Sequence, residues 1–276
     1  MLTDRQIERY SRQIILPQLG GRGQEKLLSA AVAVVGTGDM NISVALYLAA
    51  GGVGTLGVDA PAAAAIAGLN PDCRTQSLAA TLDADLAAIA RDYDLLVAAD
   101  IAPDLCSALN VACMAVRKPL LWGATTGHTG AIAVFAGHRP AEPCYACLPL
   151  PLPREIVYKC EDVLREPQHE RSLSPSNEGV SAHPELVEGC FQRKSTVAPA
   201  GGQADDAAVL AAVTAAFIGT LLATETVKLA AGIEAPLAKR LLLYEALDAT
   251  VRAVDLHKDP HCAACGRVSL VEAVCG

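Results

Sequence analysis

The clearest pattern in the chain is a series of short apolar runs that end at glycine or at a polar residue. The run Ala30–Gly36 (AAVAVVG) contains no polar residue, which is typical of a strand buried on both faces of a sheet. An apolar segment over Ile42–Ala50 stops at Gly51 and Gly52, which predicts a helix. The next run, GTLGVDA, predicts a strand that ends at Asp59. A strand, a helix and a strand in this order indicate a right-handed crossover within a parallel sheet.

The same pattern continues downstream and predicts an α/β fold. We expect a Rossmann-like, doubly wound, mostly parallel sheet with an antiparallel extension. The further predicted strands are Tyr93–Asp100, Lys118–Thr125, Gly130–Gly137 and a segment over 240–256 with a turn near Asp248. The further predicted helices are Thr3–Ser11, Gln24–Ser29, Leu105–Val116 and the long apolar Asp205–Ala231.

The periodic pattern disappears after Cys147. The segment that follows is rich in proline (LPLPLPREI), and residues 166–203 show no apolar period. We therefore predict a single domain over 1–276 that carries an irregular, disordered insertion at 166–203.

Composition and charge narrow the class of protein. Of the 276 residues, 52% are hydrophobic and 19% are charged, which is enough apolar area for a substantial core. The net charge of −8 argues against a nucleic-acid partner, which needs a basic face. Polar residues such as Thr214, Glu225 and Lys228 interrupt the long apolar helix, so we expect no membrane span. With no signal segment at the N-terminus, we expect a cytoplasmic protein.

Ten cysteines in a reducing compartment point to thiol or metal chemistry. Two Cys-x-x-Cys pairs lie far apart in the sequence, Cys144 with Cys147 (CYAC) and Cys262 with Cys265 (CAAC). Four thiolates suit tetrahedral zinc, and a closed four-cysteine site is structural. Two thiol pairs without a metal are the alternative. Cys73, Cys106 and Cys113 fit small, packed apolar residues.

The turn after the first strand, GTGDMN, has features of a phosphate-binding loop. Gly36 and Gly38 can bring backbone close to an anion, and the N–H groups of the next helix can point at it. Asp39, however, places a carboxylate at this position, and Asn41 stands where a third glycine is usual. The alternative is a plain strand-to-helix turn that needs glycine only for its conformation.

Two aspartates end predicted strands at the edge where open parallel sheets bind ligands. One of Asp59 and Asp100 can hold a ribose hydroxyl and the other a magnesium ion, since hard cations prefer carboxylate oxygens. Alternatively, both are ordinary polar residues at the ends of strands. In the irregular segment, Cys160 and Cys190 are candidate nucleophiles, but neither has a clear base beside it, which favours incidental thiols.

Several segments together resemble the ThiF/MoeB/HesA family, the bacterial relatives of ubiquitin-activating enzymes. These segments are RQIERYSRQIILPQLGGRGQEKLLSAAVAVVG, YLAAGGVGTLGVD, EPCYACL, IGTLLATETVKLAAG and DPHCAACG. They occur in the order of the family and cover nearly the whole chain except roughly 148–206. The resemblance implies a protein that binds ATP and magnesium and adenylates the C-terminal glycine of a ubiquitin-fold sulfur carrier. It also implies a homodimer with a structural four-cysteine zinc.

The resemblance also assigns roles to residues. It implies that Arg12 reaches the phosphates from the partner subunit and that Asp100 is associated with magnesium. Cys160 fits, by its distance after Cys147, the cysteine that some members use for thioester or persulfide chemistry, although its surroundings do not match. The implied nucleotide-binding residues are Gly36, Gly38, Asp59 and Asp100.

The chain departs from the family around the nucleotide site. Where the family has Gly-x-Gly-Gly-x-Gly, this chain has GTGDMN. After Asp59 the family has a second acidic residue, an Asn-Leu-x-Arg-Gln motif and a lysine, whereas here APAAAAIAG runs directly into LNPDC. Adenylyl transfer depends on positioning and on stabilisation of charge, so the loss of two cations beside an added Asp39 predicts weak or lost activity.

Two functions stay open at this point. The first is an adenylyltransferase with a degraded nucleotide pocket. The second is a non-catalytic binding or scaffold protein that recruits a ubiquitin-fold carrier or a catalytic paralogue. A dinucleotide-dependent oxidoreductase is disfavoured, because the loop suits a pyrophosphate no better than a triphosphate and no substrate domain is evident.

Overall fold

The computed structural model describes residues 1–78, 84–148, 206–233 and 236–266. The insertion predicted at 166–203 lies outside these residues, and so do Cys160 and Cys190. The predictions made for them stay predictions.

The described residues form helices and strands that alternate through the first half of the chain. The helices are α1 (Asp4–Arg9), α2 (Ser11–Ile14), α3 (Gly20–Ser29), α4 (Asp39–Gly51), α5 (Ala60–Ile66), α6 (Leu86–Asp92), α7 (Pro103–Ala115) and α8 (Asp206–Ala231). The strands are β1 (Ala31–Gly36), β2 (Thr55–Val58), β3 (Arg74–Ser77), β4 (Leu95–Ala99), β5 (Leu120–Thr126), β6 (Thr129–Phe135), β7 (Arg240–Glu245) and β8 (Thr250–Asp255).

All eight strands belong to one sheet with the order β3-β2-β1-β4-β5-β6-β7-β8. The first five strands are parallel, and β6, β7 and β8 extend the sheet in antiparallel fashion. The predicted fold class is therefore confirmed. The chain runs outward from β1 to β3 and then returns to the other side of β1 with β4. This reversal opens a crevice at the carboxyl ends of β1 and β4, where sheets of this class bind ligands.

The core on one face of the sheet is built by α4 and α8, which pack against each other and against the strands. Fully buried apolar side chains from strand and helix meet here, among them Val34, Val97, Leu48, Ile218 and Leu222. By length and composition alone, one described helix could cross a membrane, since Ala208–Ala231 has a mean hydropathy of 1.8. In the structure this helix lies against α4, β5 and β6.

The N-terminal arm, α1 and α2, docks at the amino ends of the parallel strands, on the opposite side from the crevice at their carboxyl ends. Tyr10 is buried, and its hydroxyl donates to Asp72 Oδ2 over 3.0 Å and accepts from Asn70 Nδ2 over 2.9 Å. Both partners come just before β3, whose carboxyl end faces the other way. Burial, with smaller contributions from neighbouring groups, raises the pKa of Tyr10 to about 12, so the hydroxyl keeps its proton.

Candidate functional site

A cavity of about 530 Å³ lies at the carboxyl ends of the parallel strands. It is lined by the end of β1 and the turn after it, the start of α5, the end of β3, the segment after β4 and the first turn of α7. Its lining residues are Val34, Val35, Gly36, Thr37, Asp59, Ala60, Ser77, Leu78, Asp100, Ile101, Ala102 and Leu105. Of the residues predicted to bind a nucleotide, the structure thus brings Gly36, Asp59 and Asp100 to one cavity.

The turn after β1 requires glycine for close approach and for conformation. A Cβ on Gly36 would lie 2.0 Å from the carbonyl oxygen of Ala99 on β4. Gly38 has a φ of 83°, in the left-handed region, and it precedes α4 without a side-chain cap. The first residue of α4 is Asp39, whose side chain is exposed beside this turn. The positive end of the α4 dipole stabilises the Asp39 carboxylate. The start of the helix therefore already carries a negative charge.

Asn41 stands where a third glycine is usual and has a role that the sequence does not reveal. Its fully buried side chain donates from Nδ2 to the carbonyl oxygen of Gly36 over 2.9 Å and to Asp59 Oδ1 over 2.8 Å. The same Asp59 oxygen accepts from the backbone N–H of Ala62 over 3.0 Å, which caps α5. Asn41 therefore ties the turn to the end of β2 and fixes the orientation of the Asp59 carboxylate.

Asp100 is held at the mouth of the cavity by β5. Thr125 donates to Asp100 twice, from its backbone N–H to Oδ1 over 3.1 Å and from its hydroxyl to Oδ2 over 3.0 Å. Loss of hydration against the surrounding protein raises the pKa of the Asp100 carboxyl, and the two Thr125 hydrogen bonds oppose that rise. The backbone φ of 56° is left-handed, a conformation that Asp and Asn tolerate better than most residues. In the sequence, Thr125 was marked only by its position at the end of the predicted strand Lys118–Thr125.

The charges around the cavity are negative. Two of its described lining residues are aspartates, and none of them is lysine, arginine or histidine. Arg12 lies exposed on α2, in the arm that docks at the other edge of the sheet, and does not line this cavity. Within the described residues, the cavity therefore offers carboxylate oxygens and apolar surface but no cationic side chain.

A second cluster lies away from the cavity and unites the two Cys-x-x-Cys pairs. The sulfurs of Cys144, Cys147, Cys262 and Cys265 all lie within 4.8 Å of one another. The sulfur–sulfur distances are 3.9 Å for Cys144 to Cys147, 3.7 Å for Cys144 to Cys262 and 3.4 Å for Cys147 to Cys265. Tetrahedral zinc with Zn–S bonds of about 2.3 Å separates its sulfurs by about 3.8 Å. The donor set and its spacing therefore fit zinc, as the sequence predicts.

The other described cysteines lie within packed regions. Cys106 and Cys113 are buried in α7, and burial raises the pKa of each thiol to about 12. Cys73 is half-buried, and burial raises its pKa to about 11. Thiols of this kind are protonated and inert at neutral pH, in agreement with their interpretation as packing residues.

Comparisons with known proteins identify relatives along the whole chain. The model of the ThiF family matches residues 60–264. The sulfur carrier protein adenylyltransferase of Thermus thermophilus is 32% identical over 297 residues, which cover 96% of this chain and 92% of the relative. The adenylyltransferase and sulfurtransferase MOCS3 of Bos taurus is 32% identical over 316 residues, which cover 100% of this chain but 58% of that longer protein.

Solved structures share the fold. The crystal structure of E. coli MccB with MccA-N7isoASN superposes with a TM-score of 0.63 at 15% identity and covers 94% of this chain and 74% of MccB. MccB in complex with N-formylated MccA gives a TM-score of 0.64 at 16% identity and covers 94% and 75% of the two chains. At this level of identity the likeness concerns the fold alone.

Proposed function

Because the chain belongs to the ThiF family, we propose that it is a divergent adenylyltransferase that acts on the C-terminal glycine of a ubiquitin-like sulfur-carrier protein. The cavity is the observation that supports this proposal. It combines the glycine turn, Asp59 and Asp100 at the carboxyl edge of a parallel sheet. The chain is similar over 96% of its length to an adenylyltransferase of sulfur carrier proteins.

ATP and magnesium, the reactants that the family implies, fit the cavity only in part. Asp59 can accept from a ribose hydroxyl, and Asp100 offers carboxylate oxygens to a hard cation. Within one chain the triphosphate fits poorly, because no described lining residue is cationic and Asp39 adds a carboxylate beside the turn. In the proposed homodimer, Arg12 of the second copy would be a single added cation. We therefore propose that adenylation by this chain is weak.

Zinc, a homodimer and a cytoplasmic location complete the proposal. Cys144, Cys147, Cys262 and Cys265 would hold the ion, which would stabilise the fold and take no part in catalysis, since four protein ligands leave no open position. The homodimer follows the role that the resemblance gives to Arg12, which is exposed on α2 and does not line the cavity of its own chain.

The test of the enzymatic proposal is ATP–pyrophosphate exchange in the presence of ubiquitin-fold proteins from the same genome. We expect slow, magnesium-dependent exchange that requires a carrier and is abolished by Asp100→Ala. Thr126→Ala, an exposed change on the same strand as Thr125, is the matched control and should leave exchange unchanged. Exchange that is absent with every carrier at high enzyme concentration would reject the enzyme.

The second candidate is a non-catalytic protein that recruits a ubiquitin-fold carrier or a catalytic paralogue. The lack of a cationic side chain among the described cavity residues favours it. It is supported if the protein captures a ubiquitin-fold carrier at micromolar concentration but exchange stays at the background of the Asp100→Ala variant. Turnover above that background rejects it.

A further inference from the structure

We infer that the cavity selects an uncharged nucleoside over a nucleoside triphosphate, and that Asp39, on a turn held in place by Asn41, is the source of this selectivity. The inference rests on the proposed function in one respect, since it takes the cavity to be the nucleotide site. It goes beyond that proposal because it names the class of ligand that the site retains.

The walls of the cavity suit the nucleoside part of a ligand. The partly exposed residues Leu78, Ile101 and Leu105 supply apolar surface on which a base can pack. Asp59 lies at the end of β2, the position from which an acidic residue accepts from ribose hydroxyls in sheets of this order. Its Oδ1 already accepts two hydrogen bonds, so Oδ2 is the atom available to the sugar. None of these contacts needs charge on the ligand.

The place that a phosphate would take is open at Gly38 but already lies beside a negative charge. In a phosphate-binding turn, glycine leaves room for the anion to approach the N–H groups of the following helix. Here the first residue of that helix is Asp39, and its exposed carboxylate lies at the positive end of the α4 dipole. A phosphate at the same position meets a like charge and gains no side-chain cation from the described lining residues.

Asn41 makes this arrangement rigid. Its side chain fills the position of the third glycine and is fully buried, so the turn cannot relax around an anion without breaking packing. Its bonds to the Gly36 carbonyl and to Asp59 also hold the sugar-binding carboxylate in one orientation. The same residue thus fixes the conformation of the turn and orders the nucleoside end of the site.

The experiment is calorimetric titration of the full chain with adenosine, AMP and ATP with magnesium chloride, at low and at high salt. We expect adenosine to bind at least about tenfold more tightly than ATP with magnesium. The reason is that the Asp39 carboxylate and the phosphates carry like charges and repel each other near the protein surface. Raising the salt should strengthen ATP binding and leave adenosine unchanged, since ions screen repulsion between exposed charges.

Two variants locate the cause of the selectivity. Asp39→Asn should raise the affinity for ATP by about threefold to tenfold and leave that for adenosine within twofold. Asp4→Asn is the matched control, because Asp4 is also the first residue of a helix, is also exposed, and lies on the arm at the other edge of the sheet. It should change neither affinity.

Tighter binding of ATP than of adenosine by the unaltered protein would overturn the inference and leave the proposed adenylyltransferase standing. Binding of neither ligand would also overturn it, while carrier-dependent exchange would still decide the proposed function. If adenosine binds more tightly but Asp39→Asn behaves like Asp4→Asn, the assignment of selectivity to Asp39 is wrong.

Discussion

Asn41 is fully buried and donates two hydrogen bonds, to the Gly36 carbonyl and to Asp59 Oδ1. Asn41→Ala removes both bonds, although Asp59 Oδ1 keeps the bond from the Ala62 N–H. We expect the free energy of unfolding to fall by about 1–3 kcal/mol, measured by urea denaturation. Thr37→Ala, an exposed change in the same turn, is the control and should stay within about 0.5 kcal/mol of the unaltered protein. An equal effect of the two changes would contradict the structural role of Asn41.

Asp100 allows a test through pH. Loss of hydration raises the pKa of its carboxyl above the ordinary value of 3.8, although Asp100 is exposed in part and Thr125 opposes the rise, so the folded state disfavours the ionised form only weakly. The contribution of this group to stability is present below pH 3.8 and is lost as pH rises through the raised pKa. Asn has no such loss, accepts from the Thr125 N–H in the same way and tolerates the left-handed backbone.

We therefore expect Asp100→Asn to melt at the same or a higher temperature than the unaltered protein at pH 7, with the difference shrinking toward pH 4. Thermal unfolding followed by circular dichroism across this range measures it. A variant that melts lower at pH 7 and recovers in acid would show that the ionised Asp100 stabilises the fold.

At the scale of elements, the long apolar helix α8 packs in the core, and substitutions on its two faces can test this. Ile218 is fully buried, and a Cβ on Gly130 of β6 would lie 2.2 Å from its side chain, so helix and strand are in close contact. Ile218→Ala should lower the free energy of unfolding by about 2–5 kcal/mol in urea denaturation. Val213→Ala, one turn earlier on a side chain that is 60% exposed, should cost little. Similar losses from both would mean that the exposed face of α8 is also covered.

The elements that the sequence predicts are those with a strong local signal. β1 and β2 are continuous apolar runs and α4 and α8 are largely apolar ones, and the structure has all four within a few residues of the predicted bounds. Asp248 lies in the turn between β7 and β8, as predicted.

Three elements between Asp59 and Tyr93 had no prediction. All four residues of β3 (RTQS) are exposed, so no apolar period marks it, and its position comes from pairing with β2 at the edge of the sheet. The helices α5 and α6 are seven residues each, too short for a clear period, although Asp59 and Asp85 cap them. A strand set by its neighbour cannot be predicted from its own residues.

For the candidate site, the sequence predicted where the two aspartates lie but not the hydrogen bonds that hold them. Strand ends place Asp59 and Asp100 at one edge, because parallel strands end together. The bonds from Asn41 to Asp59 and from Thr125 to Asp100 join residues 18 and 25 positions apart. They depend on side-chain orientation in the assembled sheet, which the sequence pattern does not contain.

For the whole molecule, the four-cysteine cluster joins segments that are 118 residues apart in the sequence. Its neighbours are on α7: Asn110 accepts from the backbone N–H of Tyr145 over 3.1 Å, and Met114 packs against the cysteines. None of the four cysteines lines the cavity. A metal here closes a long loop and stabilises the fold without touching the ligand site.

We therefore expect one zinc per chain by elemental analysis, and a melting temperature that falls by several degrees when a chelator removes it.

Cys262→Ser should lower the melting temperature in the same way and make it insensitive to chelator. Cys73→Ser is the control, because this half-buried thiol lies outside the cluster and should leave the chelator response intact. Well below the new melting temperature, adenosine affinity should stay within twofold, since the cluster contacts α7 at Asn110 and Met114, whereas Leu105 at the start of the helix is the residue of α7 that lines the cavity. An unchanged melting temperature after verified removal of zinc would reject the structural role, and loss of adenosine binding in a still-folded protein would show that cluster and cavity are coupled.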